Sequence, residues 1–380
     1  MIANGLGRIR SPYFCEAIER VLNDRPMMTT TLFDIHPTHE SRLGQVDLQD
    51  LPFGSVFSDH MFVMDFKNGQ WQTGAIQPYA DIAMSPAAMA LHYGQAIFEG
   101  MKAFRQPDGG VALFRPDANI ARFNVSADRM CMPAVDPELF HEALVELVKM
   151  DSDWVPDGAG SSLYIRPFMF ASEVHVGVRP SAEYRFIIFT CPVGPYYKGG
   201  VRVKVETEYT RAAPGGTGYA KAAGNYAASL KPTELAKAAG YQQILWTDAV
   251  EHKYIEESGT MNAVFVLDGK LVSPSLGDTV LNGVTRNSVL NLARHSGLEV
   301  EERRIAVAEL KAAAESGALT EAFGVGTAAT MTPIEAIGFN AGDVDLPAVE
   351  SWTVMPRLAA TLDGIRRGHE DDPFGWRLIL

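Results

Sequence analysis

Short apolar runs punctuated by turn residues dominate the first half of the chain. His60–Phe66 (HMFVMDF) predicts a strand, and the Asn68-Gly69 pair behind it predicts a tight hairpin turn before Trp71. Leu91–Phe98 (LHYGQAIF) is an apolar stretch leading into Glu99-Gly100. Met101–Arg105 and Val111–Phe114 predict paired strands around Pro107-Asp108-Gly109-Gly110. The period then lengthens. Pro116-Asp117 opens a predicted helix through Met130, with Arg122 near its middle. Asp136-Pro137 opens a second through Met150, in which Phe140, Leu144 and Val148 recur at i+4 with Leu139, Ala143 and Leu147 beside them. Leu163–Ala171 (LYIRPFMFA) and Tyr184–Cys191 (YRFIIFTC) return to the strand pattern, and Pro167 places the first at a sheet edge or a bulge.

Pro192–Gly200 (PVGPYYKGG) is rich in Pro and Gly and divides the chain. The expected organisation is an extension over residues 1–26, a small α/β domain over 27–193, a linker over 194–204 and a larger domain over 205–380. In the second half the pattern predicts a strand over Val201–Glu208, a helix through Leu235–Ala239 and a strand over Gln242–Thr247. A hairpin follows, Met261–Leu267 with Leu271–Ser273 around Asp268-Gly269. Helices over Val284–His295 and Ala306–Ser316, a strand–Gly-X-Gly–strand unit in Glu321–Thr332 and a last helix over Met355–Arg367 complete it. There is no repeating βαβ unit, so the class is α/β (α+β) with hairpins and helices.

Composition narrows the function classes. The 380 residues suit two domains, and 47% hydrophobic with 21% charged residues is ordinary for a globular chain. A net charge of −13 repels phosphate backbones, so nucleic acid is disfavoured as a partner. No apolar run is long enough to span a membrane as a helix. Cys15, Cys131 and Cys191 are odd in number and widely spaced, which forms neither a disulfide framework nor a metal site and suits a reducing cytoplasm. The first residues, Met1–Arg25, lack the apolar core of a secretory signal and are expected to form a loose or short helical extension. An alternative is that synthesis starts at Met27 or Met28.

One stretch carries candidate chemistry. Gly215–Ser229 (GGTGYAKAAGNYAAS) sets Lys221 among small residues, with Tyr219 and Tyr226 on either side. Glycines let backbone approach a flat ligand closely. A lysine partly withdrawn from water is nucleophilic and suits Schiff-base chemistry. Alone, such a loop is as readily a solvated surface turn. Other stretches supply what a pyridoxal phosphate enzyme needs besides an amine: a carboxylate for the pyridine nitrogen and an anion site at a helix N-terminus. Glu256-Glu257 precede the Ser258-Gly259-Thr260 turn, Asn282-Gly283-Val284-Thr285 opens a helix, and Gly324-Val325-Gly326-Thr327-Ala328-Ala329 offers clustered backbone N–H groups after a strand.

Taken together, these blocks make the chain, from about Leu51 onward, resemble the branched-chain aminotransferases, pyridoxal 5′-phosphate enzymes of fold type IV. The resemblance rests on Leu91-His92-Tyr93, Phe98-Glu99-Gly100-Met101-Lys102-Ala103, Leu113-Phe114-Arg115-Pro116 and Ser162–Pro167. It continues in Lys221 with Gly224-Asn225-Tyr226, in Glu257–Asn262 and in Gly326-Thr327-Ala328. It implies a small α/β domain with a larger pseudo-barrel domain, and a homodimer whose pocket is completed across the interface. It implies transfer of the amino group of leucine, isoleucine or valine to 2-oxoglutarate, giving glutamate.

Residue by residue, the resemblance implies that Lys221 holds the cofactor aldehyde and moves the proton. Glu257 faces the pyridine nitrogen and Tyr226 the ring oxygen. Arg122, Val284, Thr285 and Thr327 take the phosphate, with Thr260 nearby. Tyr93, Thr327 and Ala328 take the substrate carboxylate. Phe53, Phe98, Tyr164 and Tyr196 line the side-chain pocket, and Arg166 seats the distal carboxylate of glutamate. Some readings stay open at this level. Arg122 could pair with a surface acid, Phe53 and Phe98 could be core, and Glu256 could face the ring in place of Glu257. Ala223 departs from the two glycines usual before the Asn, and Ala329 and Thr332 stand where some relatives have a redox-sensitive cysteine pair. The rival readings are a D-amino acid aminotransferase or aminodeoxychorismate lyase of the same fold group, a nucleotide-dependent oxidoreductase using Gly324-Val325-Gly326, and a non-catalytic binding protein.

Overall fold

Ten strands among the described residues form one sheet. They are β1 (Phe33–Ile35), β2 (His60–Lys67), β3 (Gln70–Trp71), β4 (Gly74–Pro78), β5 (Ala96–Phe98), β6 (Met101–Arg105), β7 (Val111–Phe114), β8 (Ser162–Ala171), β9 (Tyr184–Val193) and the C-terminal strand Arg377–Ile379. The computed structural model describes residues 32–196 and 199–380, and 33–380 form one unit. The expected N-terminal extension and the alternative start at Met27 or Met28 lie outside the described residues. Asn68 and Gly69 both take positive φ (54° and 77°), so β2 turns tightly back onto β3 as the sequence implies.

A second sheet holds β10 (Val201–Val205), β11 (Gln243–Thr247), β12 (Ile255–Ser258), β13 (Met261–Leu267), β14 (Lys270–Ser273), β15 (Val300–Glu302), β16 (Leu319–Gly326), β17 (Thr330–Phe339) and β18 (Gly342–Asp345). The order β12-β11-β10-β17-β16-β13, with β13 also pairing β12, closes a ring. This is the pseudo-barrel expected from the resemblance. The six strands of the ring each have a neighbour on both sides, while β15 and β18 remain edge strands outside it. Numbering ends with β19 (Arg377–Ile379), which carries the chain back to pair β7 of the first sheet.

The helices are α1 (Met89–Tyr93), α2 (Pro116–Arg129), α3 (Pro137–Met150), α4 (Ala223–Ala228), α5 (Leu230–Ala238), α6 (Val284–His295), α7 (Val307–Ser316) and α8 (Val354–Arg367). In α3 the Asp136 carboxylate accepts from the N–H groups of Glu138 and Leu139, and the apolar stripe Phe140, Leu144, Val148 is fully buried. Phe140 meets Phe123 of α2 and Phe186 of β9 edge-on. Strand β13 is buried on both faces. Ala263, Phe265 and Leu267 join the core that includes Val203 and Ile337, while Val264 and Val266 pack in the core under α6 and α8.

Four local expectations need correction. The apolar stretch Leu91–Phe98 is not continuous: Gly94 takes φ 64° and separates α1 from β5. Strand β8 is central, not an edge. Pro167 is accommodated because β6 pairs β8 only over Leu163–Ile165 and β5 only over Phe168–Phe170, leaving the gap opposite Glu99-Gly100 for the residue that lacks an N–H. The strand expected to reach Glu208 stops at Val205, because the Glu206 carboxylate accepts from the N–H groups of Glu208 and Tyr209 and turns the chain. Gly324 and Gly326 are strand residues of β16, and the turn comes at Thr327–Ala329.

Candidate active site

Lys221 is positioned by its backbone before its side chain does anything. Its N–H donates to Ser126 Oγ of α2 (2.9 Å) and its carbonyl accepts from the N–H of Phe98 (3.1 Å). The Asn225 side-chain amide donates to the carbonyls of Thr217 and Ala220, which knits the loop ahead of the lysine. Lys221 is therefore clamped between α2 and β5. Its Nζ donates to the Tyr226 hydroxyl (2.7 Å) and lies 4.4 Å from the centre of the Phe98 ring.

The cavity into which it points has a volume of about 370 Å³. Glu257 is on its wall, on the opposite face of β12 from Glu256, which is bound by the Thr279 hydroxyl (2.5 Å) and faces a different cavity. Of the two glutamates, strand alternation puts only Glu257 on the wall of the cavity that holds Lys221. Glu257 is 3% exposed. It accepts from the Leu281 N–H (2.7 Å) and pairs with Arg211 (Nε–Oε2 3.2 Å). Burial pushes its carboxyl above the ordinary value, and Arg211 and the Leu281 N–H offset only part of that.

Arg122 lines the same cavity. It does not pair with a surface acid. Its Nε and Nη2 make a two-pronged contact with Glu99 (2.7 and 2.9 Å), and Nη1 donates to the Asn282 carbonyl (2.9 Å). Glu99 is fully buried and also accepts from Asn119 Nδ2 (2.8 Å) and the Gly100 N–H (3.1 Å). Burial alone would push the Glu99 carboxyl up, but the Arg122 guanidinium outweighs it and holds the acid below its ordinary value. Glu99→Gln, which keeps the shape and removes the charge, is expected to destabilise the fold by about 1–3 kcal/mol. Urea unfolding checks it, and an unchanged midpoint would mean that the pair contributes nothing net.

Next to Arg122 is the start of α6. Its N-cap is Gly283, which has no side chain to cap the first N–H groups, so those of Val284 and Thr285 are left for an anion. Gly283 is required there because a Cβ would collide with Asn262 Oδ1. Arg115 fixes the first turn of α6 by donating to Asn287 Oδ1 and Ser288 Oγ (both 2.8 Å). The Thr327–Ala329 turn also lines the cavity, and its Ala328 carbonyl accepts from Lys102 Nζ (3.1 Å).

The remaining wall is aromatic. Phe53 meets Tyr164 (5.3 Å) and Tyr196 (4.8 Å) edge-on. Arg166 Nη2 donates to the Tyr164 hydroxyl (3.1 Å), and its guanidinium lies 4.8 Å from the Phe98 ring centre. Gly100 makes room for this, since a Cβ there would strike the Tyr164 hydroxyl. Phe53 and Phe98 are therefore cavity walls and not only core.

Of the residues singled out in the sequence, the fold brings Lys221, Tyr226, Glu257, Thr260, Arg122, Val284, Thr285, Thr327, Ala328, Phe53, Phe98, Tyr164, Arg166 and Tyr196 to this one cavity. Tyr93 is not on its wall. It ends α1 and is 37% exposed. Ala223, the departure after the lysine, is on the wall. Sequence reasoning assigned no role to Glu99, Lys102 or Arg211, although Glu99 and Lys102 stand in one of the blocks that carry the resemblance.

An acid, an amine and a cation beside an uncapped helix N-terminus, all lining one cavity, match the donor set that pyridoxal phosphate requires. Among the described residues no cluster of His, Cys, Asp or Glu could hold a metal, and no helix is long and apolar enough to cross a membrane.

Comparison with known proteins agrees with this geometry. Residues 96–337 match the family described as amino-transferase class IV. The chain is 47% identical over 334 residues to branched-chain-amino-acid aminotransferase 2 of Bacillus subtilis (strain 168), covering 87% of this chain and 92% of that one. Its fold is similar to the crystal structure of a branched-chain aminotransferase from Thermoproteus uzoniensis with norvaline (TM-score 0.70, 27% identity, 84% of this chain and 99% of that one). It is also similar to a T.th. branched-chain amino acid aminotransferase solved with pyridoxamine 5′-phosphate (TM-score 0.66, 27% identity, 83% and 97%).

Proposed function

The chain belongs to the class IV aminotransferases, and on that premise we propose that it is a branched-chain amino acid aminotransferase. It moves the amino group of L-leucine, L-isoleucine or L-valine reversibly to 2-oxoglutarate, giving branched 2-oxo acids and L-glutamate. The observation that carries the reading is the placement of Lys221 and Glu257 in one cavity with Arg122 and the α6 N-terminus.

When bound, pyridoxal 5′-phosphate supplies an aldehyde and an electron-withdrawing ring. Lys221 Nζ would hold the aldehyde between turnovers and carry a proton to and from the substrate α-carbon. The Tyr226 hydroxyl, already bonded to Nζ, would orient the ring oxygen. Glu257 would hold a proton at the pyridine nitrogen. Arg122, kept in place by Glu99, would take the phosphate with the N–H groups of Val284 and Thr285 and with Thr327; Thr260 is at the rim. The N–H groups of the Thr327-Ala328 turn would take the substrate carboxylate. Phe53, Phe98, Tyr164 and Tyr196 would exclude water and receive the branched side chain. One methylene changes such a contact by only about 1–3 kcal/mol, so all three donors are accepted. Arg166, bonded to Tyr164, would receive the distal carboxylate of glutamate.

We further propose a cytoplasmic homodimer in which the exposed Tyr93 of one subunit reaches the cavity of the other. Its exposure at the end of α1 supports this.

The test is visible absorbance of the purified protein, borohydride reduction and peptide mapping. The reduced cofactor is expected on the peptide holding Lys221. L-leucine, L-isoleucine and L-valine are expected to convert the coloured form, and D-alanine is not. Protein that stays colourless with added pyridoxal phosphate removes the reading. Activity on D-alanine without activity on L-leucine overturns the substrate assignment in favour of a D-amino acid enzyme. Sedimentation of the same preparation as a monomer rejects the dimer.

A further inference from the structure

We propose that Lys102 and Arg366, with Thr285 and Thr327, form a buried site for a small monovalent anion of the halide class, set behind the wall of the active-site cavity.

The observation is a cluster of cations without matching acids. Lys102 on β6 is 7% exposed and Arg366 on α8 is 4% exposed. Lys102 has three N–H donors, and the bond to Ala328 O uses one. The Arg366 guanidinium has five donors and makes no hydrogen bond to any described residue; its Nε is enclosed and unpartnered. The group lies over the Phe114 ring (4.5 Å) and beside Phe104 (5.7 Å). Its neighbour Arg367 already uses Asp363, which is half-exposed (Nε–Oδ2 3.0 Å). Three cations thus share one carboxylate that faces solvent. A buried, uncompensated cation is strongly unfavourable.

The chain has one internal response, which is incomplete. Burial and the charge of Arg366 lower the Lys102 ammonium to about 7, so it can shed its proton. Arg366 is lowered only to about 10 and stays charged at neutral pH. An anion resolves what proton loss cannot.

Lys102, Arg366, Thr285 and Thr327 line a cavity of about 10 Å³, with Phe104 and Phe114 as apolar walls. That volume suits one water or a monatomic ion and is too small for a carboxylate or phosphate. The size excludes a larger anion, the two unmatched cations favour a halide over water, and the site is separate from the one assigned to the cofactor phosphate, although Thr285 and Thr327 belong to both walls. An anion here would keep Lys102 charged and so keep its bond to Ala328 O. The inference does not rest on the proposed reaction.

Two measurements test it. Crystals of the cofactor-loaded protein soaked in sodium bromide are expected to show an anomalous peak between Lys102 Nζ and the Arg366 guanidinium. Thermal unfolding in sodium chloride is expected at a midpoint about 2 °C or more above that in sodium gluconate at equal ionic strength, with or without cofactor. Lys102→Met and Arg366→Met are expected to abolish that chloride-dependent difference. Should Arg366→Met fail to fold, Lys102→Met alone decides. No anomalous peak, a chloride effect unchanged in Lys102→Met, or an effect seen only without cofactor (the cofactor phosphate then supplying the counter-charge) overturns the proposal. None of these outcomes changes the borohydride result at Lys221, so the two readings fail separately.

Discussion

Lys221→Ala is expected to lower transaminase turnover by about 10⁴-fold or more while the cofactor stays bound. The two effects separate because different parts of the fold carry them. Arg122, seated on Glu99, and the uncapped start of α6 are the proposed anion site, and Glu257 is the proposed partner of the pyridine nitrogen. None of these depends on the lysine side chain. What alanine removes is the amine proposed to hold the aldehyde and to serve as the base at the α-carbon. It also removes the donor to the Tyr226 hydroxyl, so the ring oxygen loses some of its orientation. The backbone clamp to Ser126 and Phe98 survives, because it uses main-chain atoms of residue 221. Dialysis followed by absorbance measures retention, and single-turnover kinetics with L-leucine measure the loss. Borohydride should no longer attach the cofactor to the protein. Near-normal transamination by the variant would reject Lys221 as the catalytic amine.

Local chemistry was legible in the sequence where neighbours in the chain decide the outcome. Asn68-Gly69 needed positive φ at both positions, and the i+4 stripe of α3 needed one buried face. Both were present in the letters. The small residues around Lys221 and the acid before the Gly259 turn also marked themselves. Pro167 shows the limit. A proline in a strand argues for an edge, and only the hand-over from β6 to β5 along β8 explains how a central strand tolerates it. The supports of the site were hidden for a similar reason. Glu99 follows Ile97-Phe98 and reads as the end of an apolar run; that it neutralises Arg122 depends on α2 packing over β5. Arg211 and Glu257, and Lys102 and Arg366, meet only after the barrel has closed and α8 has docked on the first sheet. Tyr93 is the converse: the resemblance names it, but one chain does not bring it to its own cavity.

Glu257→Gln is expected to lower turnover by about 10²–10³-fold, the scale of losing one preorganised electrostatic contact. It is also expected to leave the cofactor-free protein at least as stable as the unaltered chain at neutral pH. Both outcomes follow from one fact, that this carboxylate is almost wholly withdrawn from water. Burial raises its affinity for a proton above the ordinary value of 4.5, and Arg211 and the Leu281 N–H recover only part of the lost hydration. The folded chain therefore binds this proton more tightly than the unfolded chain. Whatever the group contributes to stability is complete below 4.5 and is lost as pH rises through the folded value. An amide of the same shape does not ionise and escapes that loss. With a protonated pyridine nitrogen opposite it, the balance reverses: the charge that weakens the empty fold is the charge that keeps the ring electron-poor, and glutamine cannot supply it. Unfolding midpoints of the two cofactor-free proteins should converge near pH 4.5 and separate in favour of the variant as pH rises above it. An advantage for glutamate that grows with pH would reject the desolvation account, and unchanged turnover would remove Glu257 from the reaction.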